Sequence, residues 1–490
     1  MQVTVPTAHP LRARPPAAAG PDATAESSPA LRVLGALCLI AIVATSFLLA
    51  ASASAGPSDF VRVHGGGWPG WIAGPYQGLG LRLTPASFDV FTLVLLGCYL
   101  GLLASAKMLP ARVLGAAIAL AYLALMLGPP LLSQDVYGYL SFARLGALHG
   151  LDPYTHVAAE APADPSFPYI GWPFQHTPYG PLFTLGSYAI AQLGLAGGLW
   201  AFKAIAVLTS LGAVALVALA AKREGNSGRL AAVFVGLNPV MLEFAVGGAH
   251  NDTITLLLVA AALAIGAGAL GGRRRAQSLE AQLLDAQPLD AHPQEAEGSQ
   301  RPRRLRQAVL PLALAAGFKI TAGLLIPFLV LAPRAAKERL RVLGNAAGGL
   351  IAVLIVGAIG FGAGMTGFIA PLAEQQQQVA PHSIPAEIGR LVGLSNTPTW
   401  WRWLFLAGFV VVVIIALWRT AKGADWRVAA GWSTVALVVS TAWLLPWYAI
   451  WALPLAAVTR DRRLRIGVLV FCLYALAMRL PLTEPLLGGH

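Results

Sequence analysis

Apolar residues in this chain fall in blocks of roughly twenty, the length at which an α-helix crosses the hydrocarbon core of a bilayer. Inside a bilayer every backbone polar group must find its partner within the protein, so such blocks fix the fold class before any motif is considered. After a first block starting near Val33, they recur at 88–106, 113–132, 198–221, 230–248, 253–272, 343–362, 404–418, 428–445 and 466–480. Shorter apolar pieces lie at 181–193, 308–318, 320–332 and 448–458. Soluble domains carry about a quarter charged residues; here only 11% of 490 residues are charged and 57% are hydrophobic. The chain reads as an all-α polytopic membrane protein with about 11–14 transmembrane or half-spanning helices. Cys38, Cys98 and Cys472 sit inside apolar blocks and read as packing residues.

Lys and Arg orient the stack. They crowd the tail (Arg12, Arg14, Arg32), Lys107 and Arg112, Lys222 to Arg229, Arg273 to Arg306, Arg334 to Arg341, Arg419 to Arg427 and Arg460 to Arg465. The remaining connections hold few: Arg62, Arg82, Arg144, Arg390, Arg402 and Arg479. The positive-inside rule makes the first set cytoplasmic and the second external. The net charge of +12 thus belongs to membrane orientation, and nucleic acid is not an expected partner. Residues 1–30, rich in Pro, Ala and Ser, read as a disordered cytoplasmic tail with no cleavage site behind it. The segment 273–306, charged and with Gln and Pro, reads as a cytoplasmic linker between an N-terminal membrane region (31–272) and a C-terminal one (307–490). Parity assigns one crossing to 181–222, so 181–193 lies along or dips into the outer face. It also makes 308–332 a hairpin of short half-helices with Lys319 near its apex.

Two outer loops are long, 133–180 and 363–403. The first can open on an amphipathic helix over 135–149, with Asp135 at its start. That carboxylate would sit where an amphiphilic substrate presents its head group, or it would simply cap the helix; the two roles are compatible. Glu243, an acid inside an apolar span, is a functional candidate by cost alone. His250 follows seven residues later, on roughly the same helix face, with Asn251 and Asp252 beyond it. These groups could bind a divalent metal or form a hydrogen-bonded network. Lys203 and Lys319 lie within apolar segments, placed either to snorkel or to meet an anion. Arg390 and Arg402 are further candidates on the second loop, and the Trp400–Trp403 and Trp443–Tyr448 aromatics read mainly as belt residues.

The motif order resembles the GT-C class of polytopic glycosyltransferases: Asp135-Val-Tyr137-Gly-Tyr139, then Gly150-Leu-Asp152-Pro153-Tyr154, then Thr177-Pro178-Tyr179-Gly180-Pro181-Leu182. Asn238-Pro239, Gly247-Gly248-Ala249-His250-Asn251-Asp252 and Pro446-Trp447-Tyr448-Ala449-Ile450-Trp451 are similar to the actinobacterial α-(1→6)-mannosyltransferases, from about residue 88 onward. The linker 273–306 is outside that pattern. The resemblance implies a bacterial plasma-membrane enzyme that moves mannose from polyprenyl-phosphate mannose to a lipomannan-type acceptor on the outer face, with inversion and Asp135 as general base. Lys203 would be the first choice for the donor phosphate, then Lys319, with Arg390 and Arg402 in support. Tyr137, Asp152, Tyr154, His176, Tyr179, Glu243, His250, Asn251, Asp252, Trp447 and Tyr448 would shape the sugar and acceptor pocket. A divalent metal is compatible with this chemistry but not required by it. Transfer of glucose or arabinofuranose from the corresponding donor is the nearest alternative. A lipid or glycan flippase is the alternative from another class, although no internal repeat supports it.

Overall fold

The computed structural model describes residues 29–65, 67–268, 294–368, 371, 374 and 377–483. Among them the elements are helical: α1 Pro29–Ala53, α2 Pro85–Ser105, α3 Ala111–Met126, α4 Asp135–His149, α5 Pro181–Ala191, α6 Gly194–Arg223, α7 Gly228–Gly236, α8 Asp252–Gly266, α9 Gln294–Phe318, α10 Ile326–Leu331, α11 Ala336–Phe361, α12 Ile384–Leu391, α13 Thr399–Ala421, α14 Trp426–Ser440, α15 Leu453–Val458 and α16 Arg462–Ala477. Five helical segments are long and apolar enough to cross a bilayer, and five shorter apolar ones accompany them. The chain is a polytopic all-α membrane protein. The tail up to residue 28 and linker residues 273–293 lie outside the described residues. The rest of the expected linker, from Gln294 onward, is the first half of α9. Arg and Gln are good helix formers, so low hydropathy there marks where the helix leaves the lipid, not where it starts.

Helix ends follow local chemistry. Thr84 and Ser87 form a capping box at α2 with Pro85 behind it, Ser227 caps α7, and Asp425 and Asp461 cap α14 and α16. The helices pack in a ribbon in which α1 lies against α2 and α3, while α8 lies between α6 and α9 and α9 contacts α11. Small residues set the close crossings. A Cβ on Gly35 would lie 2.8 Å from Ser105 Oγ, and one on Gly128 would lie 2.8 Å from Ala50 Cβ and 3.0 Å from its carbonyl oxygen. One hydrophobic core runs from α1 to α16. The outward faces of α11 and α13 expose Ile359 and Trp418, at 81% and 61%, as helices facing lipid chains do.

The two ends of the bundle differ in chemistry. At one end, arginines grip carbonyls and acids between helices: Arg223 on Ala264, Arg229 on Leu109, Arg460 on Gly225, and Arg427 on Glu224. At the other end lie the loops 133–180 and 363–398 and a third stretch, 54–84, that sequence reasoning passed over. This third segment is tied down through Leu132 N–H to the Phe60 carbonyl at 2.7 Å and through Trp200 Nε1–H to the Trp71 carbonyl at 3.2 Å. Replacing Gly128 by Val should therefore cost about 1–3 kcal/mol through the clash with the α1 backbone. The melting temperature of the detergent-solubilised variant should fall by several degrees, and an unchanged melt would refute the crossing.

Candidate active site

Two irregular turns build the loop-rich rim. After α3, Pro129 and Pro130 end the helix, and Leu132 adopts φ +61° before Asp135 opens α4. Across from it, a π-helix over Met241–Val246 leads into a turn in which Ala249 has φ +56° and His250 N–H reaches back to the Ala245 carbonyl at 3.0 Å. Leu132 and Ala249 are the non-glycine residues of positive φ among those described. Such backbone persists only where the surroundings over-determine it. Here Leu131 N–H donates to the Gly247 carbonyl at 2.9 Å and couples the two turns.

The turns bring Asp135 and His250 together, with His250 Nδ1 3.5 Å from Asp135 Oδ2. The imidazole is fully buried and stacks on Trp447 with ring centroids 3.9 Å apart. Neither of its nitrogens has a hydrogen-bond partner among the described residues. Two residues on, Asp252 opens α8, so both acids occupy first helical turns, where the macrodipole favours a carboxylate. Their surroundings then diverge. Asp252 Oδ1 accepts from Lys319 Nζ at 2.6 Å and from Trp451 Nε1 at 2.6 Å, while Asp135 has no cation at hydrogen-bond distance among the described residues. Lys319 sits in the break between α9 and the 3-10 turn Ile320–Leu325, its Nζ 5.2 Å from the Tyr448 ring centre and 5.1 Å from that of Trp451. That break is close to the expected hairpin apex, although its first arm is the long α9.

Aromatic residues wall the space between the acids. The Tyr139 hydroxyl bonds Asn251 through Oδ1 and the backbone N–H, both at 3.3 Å, and its ring meets Tyr179 edge-on at 5.0 Å. Burial, and then the charges of Asp135 and Asp252, push the Tyr139 and Tyr179 hydroxyls well above the usual tyrosine range. Both therefore serve as neutral donors. The backbone of Gly180 donates to the Phe318 carbonyl at 3.0 Å, and a Cβ on Gly180 would lie 2.2 Å from the Gly317 carbonyl oxygen. Only glycine lets the first loop reach the helix break beside Lys319.

The other expected site residues take different places. Tyr137 is buried against Tyr169 with ring centres 5.8 Å apart. The Tyr154 hydroxyl donates to the Tyr179 carbonyl at 2.7 Å. Asp152 abuts Gly364 of the second loop region, and His176 Nδ1 is 3.0 Å from Glu374, so the two loops touch at these points. Lys203 is buried and donates to the Leu125 carbonyl at 3.3 Å, closing the end of α3. Arg390 pairs with Glu387, and Arg402 donates to Thr399 at 3.0 Å. Glu243 does not share a face with His250: the π-helix and the Ala249 turn rotate them apart. Glu243 accepts from Thr92 of α2 at 2.7 Å, within the helix packing. Trp451 was missed as a site residue although its motif was legible; its N–H on Asp252 has no signal in spacing alone. Among the described residues no three His, Cys, Asp or Glu side chains gather to hold a metal ion. Asp252 Oδ1 is taken by two donors, and its Oδ2 is buried without a hydrogen-bond partner among the described residues.

A family model described as alpha-(1->6)-mannopyranosyltransferase, N-terminal domain, matches residues 32–335. The chain belongs to this family. A second model, the MptB C-terminal domain, matches residues 382–488. Alpha-(1->6)-mannopyranosyltransferase A of Mycobacterium tuberculosis is 27% identical over 373 residues, which cover 70% of this chain and 65% of that protein. The A protein of Corynebacterium glutamicum is 32% identical over 148 residues, 28% of this chain and 29% of its own. The B protein of the same organism is 28% identical over 155 residues, 29% of this chain and 25% of its own. The match thus spans just under two thirds of the first relative's length and under a third of the other two. No solved structure matches the chain.

In this member of the mannopyranosyltransferase family the first loop is held in shape by Asp164. Arg144 Nε donates to its Oδ1 at 2.9 Å, and His149 Nε2 lies 2.7 Å from Oδ2. Burial raises the Asp164 carboxyl, but hydrogen bonds from Arg144, Ser166 and His149 outweigh it and hold the group well below the usual carboxylate range. The stabilisation is therefore present above the unfolded value of about 4 and is lost as pH falls through the lowered native value. Asp164→Asn at neutral pH should destabilise the loop by roughly 3 kcal/mol, because it strands a largely buried guanidinium. Limited proteolysis should cut the variant's 150–180 stretch much faster than wild type; equal rates would contradict the assignment.

Proposed function

We propose that the protein transfers mannose from a polyprenyl-phosphate donor to a hydroxyl of an α-(1→6)-linked mannan acceptor, with inversion, at the loop-rich face. That face would lie outside the bacterial plasma membrane. The observation that carries the reading is the unequal treatment of two acids on one rim. Asp252 is paired with Lys319 and accepts from Trp451, while Asp135 lies beside an imidazole with no hydrogen-bond partner and has no Lys or Arg at bonding distance among the described residues. An inverting displacement needs a free carboxylate on one side of the sugar and charge stabilisation on the other.

Asp135 takes the proton of the acceptor hydroxyl as that oxygen attacks the anomeric carbon. The bond from that carbon to the phosphate oxygen breaks, and its electron pair leaves on the phosphate. Lys319 has three N–H donors and spends one on Asp252, so two remain for phosphate oxygens. The aromatic faces of Tyr448 and Trp451 hold the ammonium in place. Of the two lysines favoured by sequence, Lys319 is the one whose contacts lie in the acid cluster. Nucleotide sugars are cytoplasmic, so a donor for an outer site must cross the membrane on a lipid. The arginine anchors at the opposite end of the bundle support that orientation under the positive-inside rule.

Membranes containing the wild type should move radiolabelled mannose from polyprenyl-phosphate mannose to an α-(1→6)-mannoside. Asp135→Asn at equal expression should lower the rate about 10²–10⁴-fold, the usual contribution of a general base. Lys319→Gln should raise the donor KM roughly 10- to 100-fold, as loss of a charged hydrogen bond to phosphate would. Full transfer by Asp135→Asn would move the base elsewhere.

A further inference from the structure

The segment 54–84 forms a second feature beside Asp135. A cleft of about 570 Å³, open toward solvent on the loop-rich face, is lined by Ser58, Asp59, Arg62, His64 and Gln134 among others. A second lobe of about 440 Å³ shares His64 and ends at Trp68. Volumes of this order suit a small-molecule ligand, and the shared wall makes the cleft elongated. Gln134 closes its inner side: Nε2 lies 3.3 Å from His64 Nδ1, and a Cβ on Gly171 would lie 2.6 Å from Gln134 Oε1.

We propose that this cleft is an acceptor subsite, holding the sugar units of a neutral oligomannoside that precede the hydroxyl offered to Asp135; this rests on the transferase reading above. Position is the first argument. Gln134 and Asp135 are consecutive, with Cα atoms 3.8 Å apart, and their side chains diverge, one to His64 and the other to His250. The order along the rim is therefore cleft, Gln134, Asp135, His250, Asp252 and Lys319. A displacement with inversion needs the acceptor on the base side and the phosphate on the far side, which is how the cleft and Lys319 are distributed.

Lining chemistry is the second argument. The walls offer one acid, one guanidinium, an imidazole and an amide, interleaved with apolar residues such as Pro57, Val63 and Leu83, a mixture of donors, acceptors and apolar faces that suits a sugar. Arg62 spends its Nε on the Asp59 carbonyl at 3.3 Å, which leaves its terminal nitrogens for a ligand. Trp68 is anchored by its N–H on the Ser54 carbonyl at 3.3 Å, and its ring borders the second lobe. Sugar rings pack on such faces through their apolar C–H groups.

The test is binding of α-(1→6)-mannotetraose to the purified full-length protein without donor, titrated by saturation-transfer NMR. His64→Ala removes a polar wall and Arg62→Trp obstructs the cleft; both residues are exposed, and melting temperature checks the fold. Each variant should raise Kd at least tenfold, and the gain in kcat/KM on lengthening the acceptor from mannobiose to mannotetraose should disappear. A wild type that does not bind the tetraose, or a folded variant that binds it as wild type does, overturns the subsite. Cleft-dependent binding without mannosyl transfer by the wild type would sink the donor reading and leave the subsite standing. Transfer with variant binding unaltered would do the reverse.

Discussion

Lys319 and Trp451 both donate to one oxygen of Asp252, each at 2.6 Å, and this contact holds three helix breaks from distant parts of the chain together. Asp252 follows the turn that ends the π-helix, Lys319 sits between α9 and a 3-10 turn, and Trp451 lies in the 3-10 stretch Pro446–Ala452. Irregular backbone at membrane depth exposes unpaired polar groups, and it survives only when protein satisfies them. Here the side chains of Asp252, Lys319 and Trp451 tie the three breaks to one another. Removing one partner from such a pair costs about 3–5 kcal/mol, enough to fix the relative placement of the three breaks. The Gly180–Gly317 approach then brings the first loop onto the same node.

With Asp252 committed to Lys319 and Trp451, Asp135 is the acid that we propose as the base. Its position depends on the paired positive-φ turns at Leu132 and Ala249, joined by the Leu131 to Gly247 hydrogen bond. Strain of this kind costs of order 1–3 kcal/mol per residue, and here it points a carboxylate and an imidazole at each other. The buried tyrosines around them stay neutral and keep the remaining donors in place. Membership of the α-(1→6)-mannopyranosyltransferase family supplies the chemical context for the roles proposed for Asp135 and Lys319.

Much of this was legible in the sequence because the bilayer imposes simple rules. Block lengths marked the spans, and parity placed a break near Lys319. An acid opening a loop helix marked Asp135. What stayed hidden depends on backbone that departs from regular helix. Seven-residue spacing put Glu243 and His250 on one face, but a π-helix adds residues per turn and the Ala249 turn redirects the chain. Glu243 consequently faces Thr92 and His250 faces Asp135. Lys203 and Lys319 looked alike as cations in apolar segments; a carbonyl occupies one and a carboxylate the other, a difference set by neighbours far away in sequence. The 54–84 segment escaped notice because its short helix and turns carry no period.

In the mechanism proposed, Asp135 acts as a base in one displacement, with no covalent bond to the sugar. The most direct measurement is the anomeric configuration of the newly added mannose, read by NMR from the one-bond C1–H1 coupling, using a donor of defined β configuration. The account predicts an α-linked product from the wild type. A β-linked product, or a mannosyl ester trapped on Asp135, would show retention through a covalent intermediate and would contradict it.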